Sequence, residues 1–263
     1  MAAGEKVITV NVDKCIGCRA CQVACHVWNN TPAIYTGFSP NFTNPEDLTP
    51  HTWMIMEYKE IPGDPVAWAF KKRQCMHCSN APCAHACPVG AIEVHPNGAV
   101  VINDEKCIGC RYCIEACPYD VPRFDPIKNK VYKCTFCIDR IQNGLEPACV
   151  AACPTGTLQF GDYDELVGKY KSEGYEVYGD KVNDYVGHTH YVYVTKRWKG
   201  KLKEYFDLPA DPRRPVIEFN KNVVRPIGWG LTGLTLAALA AHFVFWRAKR
   251  VEEKKEKKEG GKQ

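Results

Sequence analysis

The chain has 263 residues, a formal net charge of +4 and sixteen cysteines. This length suffices for one large domain or two smaller ones, and so small a charge gives no reason to expect a nucleic-acid partner. A small disulfide-stabilised secreted scaffold is excluded, because such scaffolds are far shorter than this chain.

The sixteen cysteines fall into four groups of four along the chain. Within a group, C-x-x-C-x-x-C lets one tight loop bind three corners of a [4Fe–4S] cluster, and the fourth thiol reaches the other cluster of a pair. A disulfide framework has no natural pairing in such a run, and a zinc site does not need a third cysteine at this interval. The sequence therefore predicts four [4Fe–4S] clusters. The groups are Cys15, Cys18, Cys21, Cys25; Cys75, Cys78, Cys83, Cys87; Cys107, Cys110, Cys113, Cys117; and Cys134, Cys137, Cys149, Cys153.

Three of the groups depart from the complete spacing that the third group, CIGCRYCIEACP, shows. The first is followed by His26 where the others have proline. The second has four residues between Cys78 and Cys83, and the fourth has eleven between Cys137 and Cys149. Because these inserts leave the flanking C-x-x-C and C-x-x-x-C spacings intact, we interpret them as loop growth around a fixed cluster.

Short strands are predicted on both sides of the cysteine groups. VITVNV and AVVIN precede the first and third groups, and VGAIEV and TGTLQF follow the second and fourth. A strand, a cluster loop, a short helix and a second strand form half of a bacterial ferredoxin, and the chain holds four such cluster loops. The predicted fold class is α+β, with two double-cluster modules of the bacterial-ferredoxin type and one C-terminal transmembrane helix.

The order of the groups suggests which of them share a module. Groups two and three are adjacent, with Gly98 in the turn between them, so residues 70–125 are predicted to form one inserted module. Groups one and four would then form the other from residues 1–69 and 126–165, including a long loop over residues 26–74. The rival pairing joins group one to two and group three to four, and that long loop makes it less attractive.

The first pairing predicts four ligand sets. Cluster A has Cys15, Cys18, Cys21 and Cys153; cluster B has Cys134, Cys137, Cys149 and Cys25; cluster C has Cys75, Cys78, Cys83 and Cys117; and cluster D has Cys107, Cys110, Cys113 and Cys87.

The long loop is rich in aromatic residues, which argues against disorder. Aromatic side chains are enriched in interface cores, so we expect this segment to pack against a partner or to shield a cluster from solvent.

Beyond the last cysteine group the chain changes character. Residues 166–226 are predicted to be a mixed segment, with a short helix over 163–174, a strand in HYVYV and a proline-rich strap. Residues 227–246 are almost uncharged and long enough to span a bilayer, with Trp229 and Trp246 at the two ends. Residues 247–263 form a charged tail.

The motifs CIGCRACQVACHVWN, CMHCSNAPCAHACPVGAI, CIGCRYCIEACPYDVPRF and VYKCTFCIDRIQNGLEPACVAACPTG, in this order, resemble the four-cluster electron-transfer subunits of the molybdopterin or tungstopterin oxidoreductase family. Within that family the resemblance is greatest to the β subunit of membrane-bound formate dehydrogenase. It covers almost the whole chain, including GHTHYVYV and the C-terminal apolar segment.

The resemblance implies a non-catalytic subunit that conducts electrons. A large catalytic subunit would oxidise formate at its molybdopterin or tungstopterin, and a membrane cytochrome b, with haem b, would deliver the electrons to quinone. Alternatives are the equivalent relay of a hydrogenase or of a polysulfide, arsenate or nitrite reductase, and a membrane-attached multi-cluster ferredoxin that serves several partners. The sequence has no nucleotide-binding fingerprint and no hydrolase motif.

Basic residues lie next to several cluster ligands. A thiolate-bound [4Fe–4S] cluster is a net anion, so nearby cations would raise its reduction potential. We take Lys133, in VYKC, as the candidate tuning residue. The other basic residues considered are Lys14, Arg19, Lys106, Arg111 and Arg140.

The apolar segment makes the lipid bilayer a further predicted partner. The basic residues that follow this segment predict a cytoplasmic tail and a cluster domain on the periplasmic or extracytoplasmic face. The N-terminal MAAGEKVITVNVDK has no basic n-region and no apolar h-region. We therefore expect export to depend on the signal of a catalytic partner, as the resemblance implies.

Overall fold

The computed structural model describes residues 4–38, 42–63, 67–212 and 225–259. It divides into two compact units, Met1–Arg214 and Pro215–Gln263. In chain order the elements are β1 (Lys6–Asn11), α1 (Ala20–Trp28), β2 (Ile55–Ile61), β3 (Ala67–Arg73), α2 (Pro82–Ala86), β4 (Ile92–Val94), β5 (Val100–Ile102), α3 (Tyr112–Ala116), β6 (Arg123–Asp125), β7 (Lys130–Tyr132), α4 (Ile138–Gln142), α5 (Ala148–Ala151), β8 (Leu158–Asp162), α6 (Tyr163–Ser172), β9 (Glu176–Tyr178), β10 (Tyr191–Thr195), α7 (Leu202–Tyr205) and α8 (Arg225–Glu259).

A four-stranded sheet in the order β8-β1-β10-β9 forms the centre of the first unit. Strand β1 pairs antiparallel with β8 and parallel with β10. All five residues of β10 are buried, and their side chains alternate between two layers. Tyr191 and Tyr193 face the layer that contains the cysteine groups, whereas Val192 and Val194 face Val167 of α6 and its neighbours. The sheet therefore separates the cysteine groups from an ordinary apolar core.

The strands around the cysteine groups confirm the α+β prediction. Strands β4 and β5 form an antiparallel hairpin between groups two and three, with Ile92 opposite Ile102. The strand before group one, β1, pairs with the strand after group four, β8. Groups two and three are thus joined through one pair of strands, and groups one and four through another.

The segment over residues 26–74 is less irregular than the predicted long loop. Helix α1 extends to Trp28, and β2 and β3 form an antiparallel hairpin of seven residue pairs from Ile55 opposite Arg73 to Ile61 opposite Ala67. Charged residues in both strands hide the period-two pattern. Trp53 stacks on Tyr132, with the ring planes 9° apart, so that tryptophan packs within the chain.

The region after the cysteine groups follows the expected order. Helix α6 ends at Ser172, two residues before the predicted end, and β10 corresponds to the HYVYV strand. Residues 213–224, which include most of the predicted strap to the membrane, lie outside the described residues.

Helix α8 belongs to the second unit and contains one apolar stretch long enough to cross a membrane. The stretch is Ile227–Arg247, 21 residues with a mean hydropathy of 1.5. It matches the predicted span of 227–246 to within one residue. The helix continues through Glu259, so the tail is helical over much of its length.

The turn between β4 and β5 requires glycine at position 98. Gly98 has φ = +90°, and a methyl group there would overlap the ring of His190. We expect Gly98→Ala to cost about 1–2 kcal/mol in backbone strain and about 1–3 kcal/mol in overpacking. The apparent melting temperature of the cluster-loaded protein should fall accordingly. Gly90→Ala is the matched control, because φ is +62° and no atom lies within 4 Å of the added methyl group. Equal losses in the two variants would contradict the role of His190.

Candidate metal centres

Two cavities in the first unit are each lined by four cysteines from different parts of the chain. One is lined by Cys15, Cys18, Cys21 and Cys153, together with Lys72 and Met56. The other is lined by Cys87, Cys107, Cys110 and Cys113, together with apolar residues such as Ile92 and Val131. These cysteine sets are the ligand sets predicted for clusters A and D.

The remaining eight thiols gather in two further sets. Burial raises the pKa of Cys25 well above its usual value, and negative charge on Cys134, Cys149 and Cys137 raises it further. Burial likewise raises the pKa of Cys78 well above its usual value, with added effects from Cys75, Cys117 and Cys83. The neighbours of Cys25 and Cys78 are the ligand sets predicted for clusters B and C. Cys25 of group one thus lies near thiols of group four, and Cys117 of group three lies near thiols of group two.

The thiols provide suitable ligands for iron. All sixteen are free of disulfide bonds. Burial raises the pKa of Cys21, Cys83 and Cys134 to about 12. Without a bound cation, these groups would therefore be uncharged thiols at neutral pH. Binding to iron displaces the proton and supplies the missing positive charge. Desolvated thiols in sets of four therefore fit [4Fe–4S] clusters.

Backbone N–H groups point at several of the sulfurs. The N–H of His77 donates to Cys75 Sγ at 3.4 Å, and that of Ala91 donates to Cys87 Sγ at 3.3 Å. At Cys153, burial acts to raise the pKa, but hydrogen bonds that include backbone N–H groups of Leu158 and Thr155 lower it overall. Such bonds stabilise a thiolate, and they are among the factors that set cluster potentials.

Residues with a left-handed backbone conformation form the turns of the cluster loops. In CIGCR of group one, Gly17 and Arg19 have φ of 68° and 61°, and the same loop of group three repeats this at Gly109 and Arg111 with 70° and 65°. Positive φ at a residue other than glycine costs of order 1–3 kcal/mol and concentrates at functional sites. The repeated backbone shows that the two loops share one local structure.

Adjacent sets approach one another at three junctions. The charge on Cys149 of the set for cluster B acts on Cys21 of the set for cluster A. Similarly, Cys75 acts on Cys134, which links the sets for B and C. Finally, Cys113 acts on Cys83, which links the sets for C and D. The four sets therefore lie in the order A, B, C, D.

Lys133, the tuning candidate from the sequence, is buried beside two of the sets. Lys133 is 4% exposed, and its Nζ donates hydrogen bonds to the carbonyl oxygens of Val100 and Cys134. Burial acts to lower the pKa of Lys133, but negative charge on Cys75 and Cys83 outweighs this and raises it. The other basic candidates are partly or fully exposed; Lys14, Lys106 and Arg111 are exposed, and Arg19 and Arg140 are intermediate.

A second buried lysine was not among the residues singled out from the sequence. Lys72, in β3, is 2% exposed, and its Nζ donates to Gln74 Oε1 at 3.2 Å and to the hydroxyl of Tyr191 at 3.3 Å. Burial acts to lower the pKa of Lys72, but negative charge on Cys149 and Cys21 outweighs this and raises it. In the sequence KKRQC, Lys72 looks like a solvated cation, as do its neighbours Lys71 and Arg73. Only the alternation of side chains along β3 places Lys72 in the interior.

The histidines near the second group take structural positions. His77 is fully buried, and its Nδ1 accepts a hydrogen bond from Val100 N at 2.9 Å. Burial holds the pKa of His77 well below its usual range, so the ring is neutral. His85 Nε2 lies 2.7 Å from Asn80 Oδ1.

Two further histidines meet a carboxylate that the sequence did not connect with them. His190 leads into β10 as expected, yet both His188 Nε2 and His190 Nε2 lie within hydrogen-bonding distance of Glu5 Oε1, at 2.7 and 2.8 Å. His190 Nδ1 lies 2.6 Å from the carbonyl oxygen of His77. These bonds tie Glu5, which directly precedes β1, to the start of β10 and the second cysteine group.

Comparison with protein families identifies the cysteine-rich region. Two profiles, both described as 4Fe-4S dicluster domain, match residues 66–163 and residues 14–91. Together they include all four cysteine groups. The chain therefore contains two 4Fe-4S dicluster domains of the ferredoxin type.

Similarity to curated proteins extends over almost the full length. The formate dehydrogenase-O iron-sulfur subunit of Escherichia coli (strain K12) is 39% identical over 254 residues, which are 93% of this chain and 84% of that protein. The formate dehydrogenase iron-sulfur subunit of Haemophilus influenzae is 40% identical, over 89% of this chain and 78% of that protein. A thiosulfate reductase electron transfer subunit of Salmonella typhi is 39% identical over 58% of this chain and 73% of that protein.

Cysteine-to-serine variants can test which thiols share a cluster. If Cys25 binds cluster B, then Cys25→Ser and Cys137→Ser should alter the same electron paramagnetic resonance (EPR) signal of the reduced protein. If Cys153 binds cluster A, then Cys153→Ser and Cys18→Ser should alter another. Cys25→Ser changing the signal that Cys78→Ser changes would instead support the rival pairing.

Proposed function

The chain belongs to the family of formate dehydrogenase iron-sulfur subunits, and we propose that it conducts electrons within a membrane-bound formate dehydrogenase complex. An electron-transfer role follows from that membership and from the two dicluster domains. In our proposal the electrons come from a large subunit that oxidises formate at a molybdopterin or tungstopterin. They leave through a membrane cytochrome b with haem b and pass to quinone.

The observation that carries the proposal is the single row of four cysteine sets. Four [4Fe–4S] clusters, when bound to sets A to D, supply one-electron redox chemistry. The chain's own residues hold the sets side by side, bury many of their thiols and direct N–H groups at some of their sulfurs. With every cysteine assigned to a set, we infer a non-catalytic subunit.

Lys133 is proposed to raise the reduction potential of cluster C. Its ammonium group is buried, and the thiolates that act on it most strongly, Cys75 and Cys83, belong to that set. A cation at this place stabilises the extra negative charge of the reduced cluster more than the charge of the oxidised one.

The row of sets also supports the module boundaries predicted from the sequence. We propose that residues 1–69 and 126–165 form the module of clusters A and B, and that residues 70–125 form the inserted module of clusters C and D. The strand pairs β1–β8 and β4–β5 support this division, because each joins the two groups of one module.

Two candidate partners are supported by separate parts of the chain. Tyr35 and Phe38 are 97% and 99% exposed, and we propose that this segment packs against the catalytic subunit. In α8, Gly233, Ala237 and Ala241 recur at every fourth residue, and such small residues permit close approach of a cytochrome b helix.

A second candidate function is the equivalent relay of another respiratory enzyme. The similarity to the thiosulfate reductase subunit favours this class, although it covers 58% of the chain, against 93% for the formate dehydrogenase relative. Hydrogenase and polysulfide, arsenate or nitrite reductase complexes fall in the same class. A membrane-attached ferredoxin without permanent partners is the other alternative.

Anaerobic purification in detergent through a tag on this chain tests the substrate. We expect a large pterin-containing subunit to co-purify and the complex to reduce a dye with formate. Hydrogen serves as the comparison donor. Activity with hydrogen, or with neither donor, would contradict formate oxidation while leaving the electron-transfer role intact.

The basic residues beyond the apolar stretch support an orientation with the tail in the cytoplasm and the cluster domain outside. In this orientation, external protease should digest the cluster domain in cells whose outer barrier has been opened but whose cytoplasmic membrane is sealed. A cytoplasmic protein serves as the control for sealing. Protection of the cluster domain in sealed cells and its digestion after lysis would reverse the orientation.

A further inference from the structure

Lys72 lies at the junction between the cysteine sets of clusters A and B. It lines the cavity that contains Cys15, Cys18, Cys21 and Cys153. Its Nζ also lies 4.4 Å from the ring centre of Tyr191, whose hydroxyl is 3.5 Å from Cys149 Sγ of the other set. The lysine therefore shares a cavity with the first set and reaches the second through one tyrosine.

The ammonium group of Lys72 has neutral hydrogen-bond acceptors. These are the amide oxygen of Gln74 and the hydroxyl of Tyr191. In the part of the chain that the structure describes, none of the ion pairs involves Lys72, in contrast to its neighbour Lys71, which pairs with Glu57 at 3.0 Å. A buried charge without a partner is costly, so the negative charge that compensates Lys72 must come from the thiolates around it.

Tyr191 extends the effect of the lysine to the second set. Because its hydroxyl oxygen accepts a hydrogen bond from Lys72 Nζ, its single proton is available to donate to Cys149 Sγ. A hydroxyl polarised by an adjacent cation is a stronger donor, since hydrogen bonds in a chain polarise one another. Both the charge and the hydrogen bond favour extra electron density on the sulfur.

We propose that Lys72 is a positioning residue that raises the reduction potentials of clusters A and B together. This inference rests on the proposed binding of [4Fe–4S] clusters to these sets, and it goes beyond the role assigned to Lys133, which lies between the sets for B and C. A cation at the A–B junction stabilises the reduced form of either cluster, so removal of the charge must lower both potentials.

A redox titration followed by EPR tests the proposal in the purified complex. In Lys72→Met we expect the midpoint potentials of clusters A and B to become more negative, with those of C and D unchanged. The signals of A and B are identified by their response to Cys153→Ser and Cys25→Ser. Lys72→Arg, which keeps the charge, should retain potentials close to those of the original chain.

Two matched variants test whether the position of the lost charge, and not charge loss in general, determines which cluster potentials change. Lys71→Met removes a cation one residue away that is already paired with Glu57, and we expect it to leave all four potentials unchanged. Lys133→Met should lower the potential of cluster C and leave that of cluster A unchanged. Lys72→Gln, which keeps a polar head group, replaces Lys72→Met if the latter loses iron.

Unchanged potentials for A and B in a neutral variant with full iron content would overturn the proposal. Equal shifts in Lys71→Met and Lys72→Met would also overturn it, because a general surface charge would then explain the effect. Loss of iron from both neutral variants, with retention in Lys72→Arg, would assign Lys72 to cluster assembly instead. The titration uses a chemical reductant, so it does not depend on whether formate is the substrate.

Discussion

The constraint on which the structure depends is the burial of many groups that must become negative to function. A thiolate in a water-poor interior is unfavourable, as the raised pKa values of Cys21, Cys83 and Cys134 show. Bound iron would supply opposing charge, and backbone N–H groups and buried lysines supply more. The left-handed loop residues, the N–H bonds to sulfur and Lys72 and Lys133 can all be understood as consequences of this one requirement.

Strand β10 links that polar interior to an ordinary apolar core. Its tyrosines face the cysteine layer, where their hydroxyl groups accept hydrogen bonds from Lys72 and Gln74, while its valines pack against α6. An all-valine strand would remove the tyrosine acceptors of both donors and leave Lys72 Nζ with its bond to Gln74 Oε1. A buried polar group that loses its partner costs about 1–3 kcal/mol. The alternation of tyrosine and valine in YVYVT therefore places polar side chains in the cysteine layer and apolar side chains in the core around α6.

The sequence predicts what is encoded locally and misses what depends on distant residues. The cysteine spacing, the flanking strands and the apolar stretch all lie within short segments, and each was found. The bonds from Glu5 to His190 and from Lys72 to Tyr191 join residues 185 and 119 positions apart. No pattern in KKRQC shows that the second lysine points inward, because that depends on the phase of β3 against the sheet.

The two buried lysines are unevenly distributed along the row of sets, and this has a consequence for conduction. Thiols of set B, Cys134 among them, act on both Lys72 and Lys133, whereas sets A and C each face one of the two. Set D faces neither. If the charges of these two lysines alone determined the potentials, cluster B would have the highest potential and cluster D the lowest. The reduction potentials would then not rise or fall uniformly from cluster A to cluster D. The net direction of electron flow would be determined by the donor and acceptor at the two ends of the row.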